Sequence, residues 1–248
     1  MIKWIKKEIH ETNLLLKSIP ALIVTLFTVS VIIMNLAANK TIVTIGDWFA
    51  LDGGILISWL SFMCMDILTK HMGPKAATKI SILAMLINVL VCFLFWIVSA
   101  IPNPGFEAVD EVLGGTWFIL LSSTIAFLIS AIINILTNWM IGKAFKKNPD
   151  GKAAYITRTY VSTTIGQFLD NLIFAVLAFM IFSPIYWDFS WTFIQCVTCS
   201  LTGAVAELIM EIIFSPLGYK ICKKWQKENI GKEYIEFINN QNTVGVEV

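Results

Sequence analysis

Charge is what this chain has least of. Asp, Glu, Lys and Arg make up 14% of its 248 residues, against about 25% in soluble globular proteins. So few charges cannot cover the surface of a domain this size, which excludes an ordinary water-soluble fold. The formal net charge is +1, leaving no global field to attract nucleic acid, and no nucleic-acid partner is expected. Histidine is almost missing. His10 and His71 lie far apart among basic flanks, a spacing that cannot ligate a metal, and no metal or cofactor is expected. No G-x-x-x-x-G-K-[ST] run occurs, so this chain should not itself hydrolyse ATP at a P-loop. The five cysteines, Cys64, Cys92, Cys196, Cys199 and Cys222, lie in or at the ends of apolar stretches. Cys196 and Cys199 form a C-x-x-C, but without a βαβ context they read as packing residues. With no nucleophile beside a base and no polar catalytic domain, an enzyme is not the expected class.

What the chain has instead is apolar length. It is 57% hydrophobic with a mean hydropathy of +0.75. Six apolar segments stand out, at about 19–38, 55–69, 77–100, 116–141, 160–182 and 191–219; a helix crosses a bilayer in ~20 residues. The expected fold is all-α, an integral membrane bundle of six transmembrane helices. One transporter domain, 19–222, would follow a cytoplasmic interfacial amphipathic segment, 1–18, and precede a basic and polar cytoplasmic tail, 223–248. Residues 1–18 mix Lys3, Lys6, Lys7 and Lys17 with Ile2, Trp4, Ile5 and Ile9 and lack the apolar core of a signal peptide, which suits a helix lying on an anionic leaflet. Every Lys and Arg except Lys40 falls on one side of the six crossings, so both termini are expected in the cytoplasm. Trp48, Trp117, Tyr186, Trp187 and Trp191 gather at the other boundary as an aromatic belt. Residues 40–54 read as an outer or partly re-entrant loop, and Glu107, Asp110 and Glu111 as an acidic one.

The informative residues are polar ones inside these segments. The stretch 162–171 reads S-T-T-I-G-Q-F-L-D-N. On a helix Ser162, Gly166 and Asp170 form one row, and Thr163, Gln167 and Asn171 a second beside it, which together make one polar face. A carboxylate near the membrane centre costs about 3 kcal/mol on insertion scales. At ~1.5 Å per residue, Asp170 comes out ~15 Å deep, Glu207 ~18 Å, and Asn88 and Asn134 ~12–14 Å. Glu211 falls one turn nearer the cytoplasm, and Asp66 only ~6 Å from the basic end of its segment. No Lys or Arg is read into the middle of any segment. The deep acids must then be protonated, hydrated in a cavity, or matched by a ligand carrying N–H donors or positive charge. The candidate substrate-binding set is Gln167, Asp170, Asn171, Glu207, Glu211, Asn134, Asn88, Asn35 and Asn39. Phe174, Phe168 or Trp139 would be available for stacking. Asp170, Glu207 and Asp66 are candidates for a proton relay. Plainer roles exist for several of these. The rows Ser122, Ala126, Ser130, Asn134, Asn138 and Cys199, Gly203, Glu207, Glu211, Ser215 are also what close helix packing needs. Asp66 and Lys70 have the spacing of an ion pair, Asn35 and Asn39 that of helix-end groups, and Asp170 and Glu207 could share one proton.

These residues also carry a resemblance. N-L-A-A-N at 35–39, D-I-L-T-K-H-M-G at 66–73, S-T-T-I-G-Q-F-L-D-N-L-I-F at 162–174 and E-I-I-F-S-P-L-G-Y at 211–219 resemble the VUT (vitamin uptake) family of queuosine-precursor transporters. The resemblance spans roughly 19–224 and is most specific at 162–174. It implies a six-helix carrier in a prokaryotic cell inner membrane, moving queuine or another 7-deazaguanine-type base; a homodimer is the assembly considered for it. The chain departs from the family's pattern at Phe118 to Ser123, where a basic residue is common, at Ala131 and Asn134, where Gln and Asp are often found, and at Glu207, near a common Lys. An alternative reading is a substrate-capture subunit of an ATP-driven vitamin transporter, resembling an S-component.

Overall fold

Most of the chain is helical in the computed structural model, which describes residues 2–38, 40–101, 117–145, 151–186 and 190–244, with side chains described from residue 5 to residue 240 of those ranges. Asn39, the acidic loop with Glu107, Asp110 and Glu111, and Trp187 lie outside the described residues.

α1 (Ile2–Ser18) and α2 (Ala21–Ala37) meet at Pro20, which precedes the first residue of α2. The two helices bend by 107° at that break. A hairpin follows, β1 (Thr41–Ile45) with β2 (Phe49–Asp52), antiparallel, with Ile45 opposite Phe49 and an irregularity between Thr41 and Val43. It occupies the stretch expected to be an outer loop. α3 (Ile55–Met72) ends at Gly73, whose φ of 90° stops the helix without steric cost. Pro74 then opens α4 (Pro74–Ser99), where its missing N–H is harmless. α5 (Trp117–Ala144) and α6 (Lys152–Ala175) come next. α6 widens into a π-helical stretch, Val176–Phe182, and ends in the short α7 (Ser183–Tyr186). α8 (Phe193–Lys227) starts with a reciprocal cap: Thr192 Oγ1 accepts from Gln195 N at 3.2 Å, and Gln195 Oε1 accepts from Thr192 N at 2.8 Å. α9 (Lys232–Val244) closes the chain.

α3, α4, α5, the run 152–186 and α8 are each long and apolar enough to cross a membrane, and α2 reaches that standard only together with α1 across their bend. The protein is therefore an all-α, multi-pass membrane bundle, with five candidate spans among the described residues, or six with the bent pair. α3 is the innermost helix, packed by α2, α4, α5 and α8. Leu86, Leu90 and Phe93 of α4 and Ile194, Val205 and Ile213 of α8 face outward, as lipid-facing side chains do. The rows of small and polar residues face inward: Ser122, Ala126, Ser130, Asn134 and Asn138 of α5 are buried, as are Cys199, Gly203, Glu207, Glu211 and Ser215 of α8. Lipid tails are as apolar as leucine, so the helices are held by close packing and interhelical hydrogen bonds rather than by a hydrophobic drive. At one end of the bundle α1 lies against α4. Glu11 pairs with Lys75 at 2.7 Å and with Lys79 at 3.4 Å, and Glu8 pairs with Lys79. At the other end the hairpin is tied to α8: Thr192 Oγ1 donates to Asp47 O at 3.1 Å, Gln195 Nε2 to Gly46 O at 3.3 Å, and Thr198 Oγ1 to Trp48 O.

Candidate functional site

The polar face expected on 162–171 forms and points into the bundle. Ser162, Thr163, Gly166, Gln167, Asp170 and Asn171 are all buried. Glycines set how closely the neighbouring helices approach. A Cβ on Gly166 would stand 3.0 Å from Asn134 Cβ and from Phe62 Cε1. One on Gly203 would stand 2.5 Å from Asn171 Nδ2. The buried acids are distributed over two groups along the bundle.

The first group joins α3, α5, α6, α8 and the hairpin. Glu207 is fully buried. Its carboxylate accepts from Ser58 Oγ and, at 3.3 Å, from Asn171 Nδ2. Gln167, its amide assigned by hydrogen-bonding pattern, brings Nε2 to 2.7 Å and 3.1 Å from the two carboxylate oxygens. Asp170 lies within electrostatic reach of Glu207 and accepts from Ser130 Oγ at 2.7 Å. A cavity of about 20 Å³ is lined by Asp170, Asn171, Ser58, Ser123, Phe174 and Asp52, among others. Ser58 and Asn171 thus stand between that cavity and Glu207. Among the described residues, no Lys or Arg forms an ion pair with Asp170 or Glu207. On the hairpin side Asp52 Oδ1 accepts from Gly54 N at 2.7 Å. Asp52 lies outside the spanning helices, and burial pushes its carboxyl up to about 6 while that backbone donor pulls the other way.

The second group lies around Asp66, which is fully buried. Asp66 Oδ1 accepts from Asn134 Nδ2 at 3.2 Å and Asn138 Nδ2 at 3.1 Å, and Oδ2 accepts from Thr163 Oγ1 at 3.3 Å. Arg158 Nε donates to Asn138 O and Oδ1, both at 3.1 Å, and its guanidinium lies within electrostatic reach of Asp66. Glu211 reaches this group from α8 and has neither carboxylate oxygen hydrogen-bonded.

The four residues expected in one central slab are therefore separated. Asp170 and Glu207 belong to the first group and Asn134 to the second, while Asn88 donates to Thr124 Oγ1 at 3.3 Å and ties α4 to α5. Asn35 accepts from Ser123 Oγ, so it approaches the cavity wall through that serine. Phe174 lines the cavity and packs edge-on against Phe179, with ring centroids 5.4 Å apart. Asp66 is corrected from an interface residue near Lys70 to a core acid. Depth counted along its short segment placed it near the membrane surface, but α3 is surrounded on most sides and turns Asp66 toward α5 and α6. Trp139 is corrected too: it is 37% exposed under Lys143, whose Nζ sits 3.6 Å from its ring centre, and cannot stack in the pocket. Arg158 is a base that the sequence reading does not bring to Asp66. Read as a loop residue, it is buried inside α6. Its signal was legible: the chain's one arginine continues the row Ser162, Gly166, Asp170 one turn upstream. Ser130 and Asn138 stand in the α5 row with a packing role only, whereas Asp52 and Ser58 carry no periodic signal.

The family model described as "Putative vitamin uptake transporter" matches residues 52–221, a stretch that contains every acid of both groups. Comparison with curated proteins and with solved structures finds no match.

Proposed function

The chain belongs to the vitamin uptake transporter family, and from that premise we propose that it imports a small donor-rich heterocycle, a 7-deazaguanine-type queuosine precursor or queuine, with protons as the coupling ion. The observation that carries this is the first group of acids: Glu207 with only neutral hydroxyl and amide donors, beside Asp170 with one serine. Two such carboxylates select against anions and for a ligand that brings donors. A guanine-like edge offers a ring N–H and an adjacent amino group, which one carboxylate accepts in bidentate fashion. Asp170 and Asn171 would read that edge, Gln167 and Ser58 would hold Glu207 behind them, and Phe174 would cover one ring face. A cavity of about 20 Å³ has room for roughly one water. Substrate therefore enters only when the helices around it part, which is the behaviour of an alternating-access carrier whose site lies near the membrane midplane. We place the protein in a prokaryotic plasma membrane, among lipids, as a monomer or homodimer.

Direct binding of labelled queuine and its 7-deazaguanine precursors to purified protein tests the substrate, with other nucleobases and vitamins as competitors. Preference for an unrelated vitamin would overturn the cargo. Asp170→Asn should abolish uptake while the protein still inserts and purifies, and full transport by that variant would remove Asp170 from the site. Uptake that needs ATP and a co-purifying ATPase would point instead to a capture subunit.

A further inference from the structure

The second group of acids is not needed to line the cavity, yet it holds two buried carboxyl groups with opposite surroundings. Asp66 receives three hydrogen bonds, from Asn134, Asn138 and Thr163, and has Arg158 within electrostatic reach. That is an environment built for a carboxylate. Glu211 is equally buried, at 0% exposure, and neither of its oxygens has a hydrogen-bond partner. A bare carboxylate in such a place is the costliest state available to it, whereas a carboxylic acid is neutral. The titratable groups facing Glu211 make the charged form worse. Asp66 and Cys64 approach from α3 and Tyr155 from α6, none of them a cation. Arg158 gives its Nε to Asn138. Two like acids thus have unlike shells, one with three donors and a base within reach and one with no hydrogen-bond partner, the kind of difference that gives paired carboxyls separate acid and base roles.

We propose that Glu211 is the coupling-proton site of the carrier, with Asp66 and Arg158 as the neighbouring polar groups against which it is loaded and unloaded. The proposal rests on the uptake reading above and adds to it a site separate from the substrate pocket. Loading forms an O–H bond on a Glu211 oxygen with a proton taken from the outer solution. Unloading breaks that bond and gives the proton to cytoplasmic water. Glu207, which holds Asn171 of the pocket wall, stands one turn away on the same helix, so any rotation of α8 that shifts Glu207 and loosens that wall also moves Glu211. Pro216, inside α8 just beyond Glu211, removes the backbone hydrogen bond that would have reached Ile212 and supplies a point about which the two parts of the helix can turn.

The test uses the full chain in proteoliposomes, with labelled queuine as probe and a one-unit pH gradient, acid outside. One proton per substrate supports about tenfold accumulation across one pH unit. Wild type should reach that level. Glu211→Gln should fall to onefold, simple equilibration, while still exchanging labelled for unlabelled queuine, and Glu211→Asp should recover pH-driven accumulation. Undiminished accumulation by Glu211→Gln would overturn the proposal, as would accumulation by wild type on a sodium gradient at equal pH. Loss of queuine binding in Glu211→Gln would also overturn it, by moving Glu211 into the substrate pocket. An infrared measurement separates this proposal from the uptake reading. The carbonyl stretch of a buried carboxylic acid should be present in the substrate-free wild type and missing in Glu211→Gln. If wild type ignores queuine, the uptake reading fails and the infrared band alone decides on Glu211. Absence of that band from wild type refutes the assignment.

Discussion

Replacing Gly203 by alanine probes the geometry of the first acid group at one atom. The added Cβ would stand 2.5 Å from Asn171 Nδ2, 3.2 Å from Asn171 Cγ and 3.0 Å from Ile55 Cδ1. Ile55 can move its terminal methyl. Asn171 cannot yield without giving up its 3.3 Å hydrogen bond to Glu207. Overpacking costs about 1–3 kcal/mol when it is endured, and a hydrogen bond to a charged group is worth about 1.5–3 kcal/mol when it is lost. One cost is escaped by accepting the other, so they are alternatives and the expected loss is about 1–3 kcal/mol. For a chain of this size that corresponds to a fall of roughly 2–12 °C in Tm, readable by thermal unfolding of the purified protein in detergent. The control is a double-mutant cycle. In an Asn171→Ala background the obstructing amide is gone, and Gly203→Ala should then cost less than about 0.5 kcal/mol. An unchanged Tm for the single variant, or the same drop in both backgrounds, would mean that α6 and α8 do not meet through Asn171 as described.

Arg158→Lys keeps the positive charge but loses the Nε donor that serves both acceptors of Asn138, so it should lower Tm as much as a neutral substitution does; full stability would show that only the charge matters. Asn138→Ala removes a donor from Asp66 and an acceptor from Arg158 and should cost about 1–3 kcal/mol by the same unfolding assay. Asp52 gives a signed pH effect. Its folded value of about 6 lies above its ordinary value of 3.8, so the folded state holds the proton more tightly, and this contribution is present in full below 3.8 and lost as pH rises through 6. Tm of wild type should therefore fall across that window more steeply than Tm of Asp52→Asn, and parallel profiles would refute the burial of the acid.

Much of this protein was legible before any fold was known, and the reason is the membrane. A bilayer demands long apolar helices, so scarce charge and six apolar runs already marked a multi-pass bundle, and the high cost of buried polar atoms made Gln167, Asp170, Asn171 and Glu207 conspicuous by their mere presence. The i+4 rows on α5 and α8 correctly named the inward faces, because helical periodicity is a local property. The hairpin at Thr41–Asp52 was less visible, since its strands are short and one is mostly exposed.

What the chain could not reveal on its own is which acid meets which donor. Depth along a helix says nothing about rotation or about what packs alongside, so it cannot tell that Asp66 turns inward or that Arg158 is buried in α6. Only the packing of α3 among its neighbours brings Asn134, Asn138 and Thr163 onto Asp66 and leaves Glu211 with no partner. The lipid requirement acts on each segment separately and is written in composition, whereas the pairing of charges arises between segments far apart in the chain and exists only once they are packed.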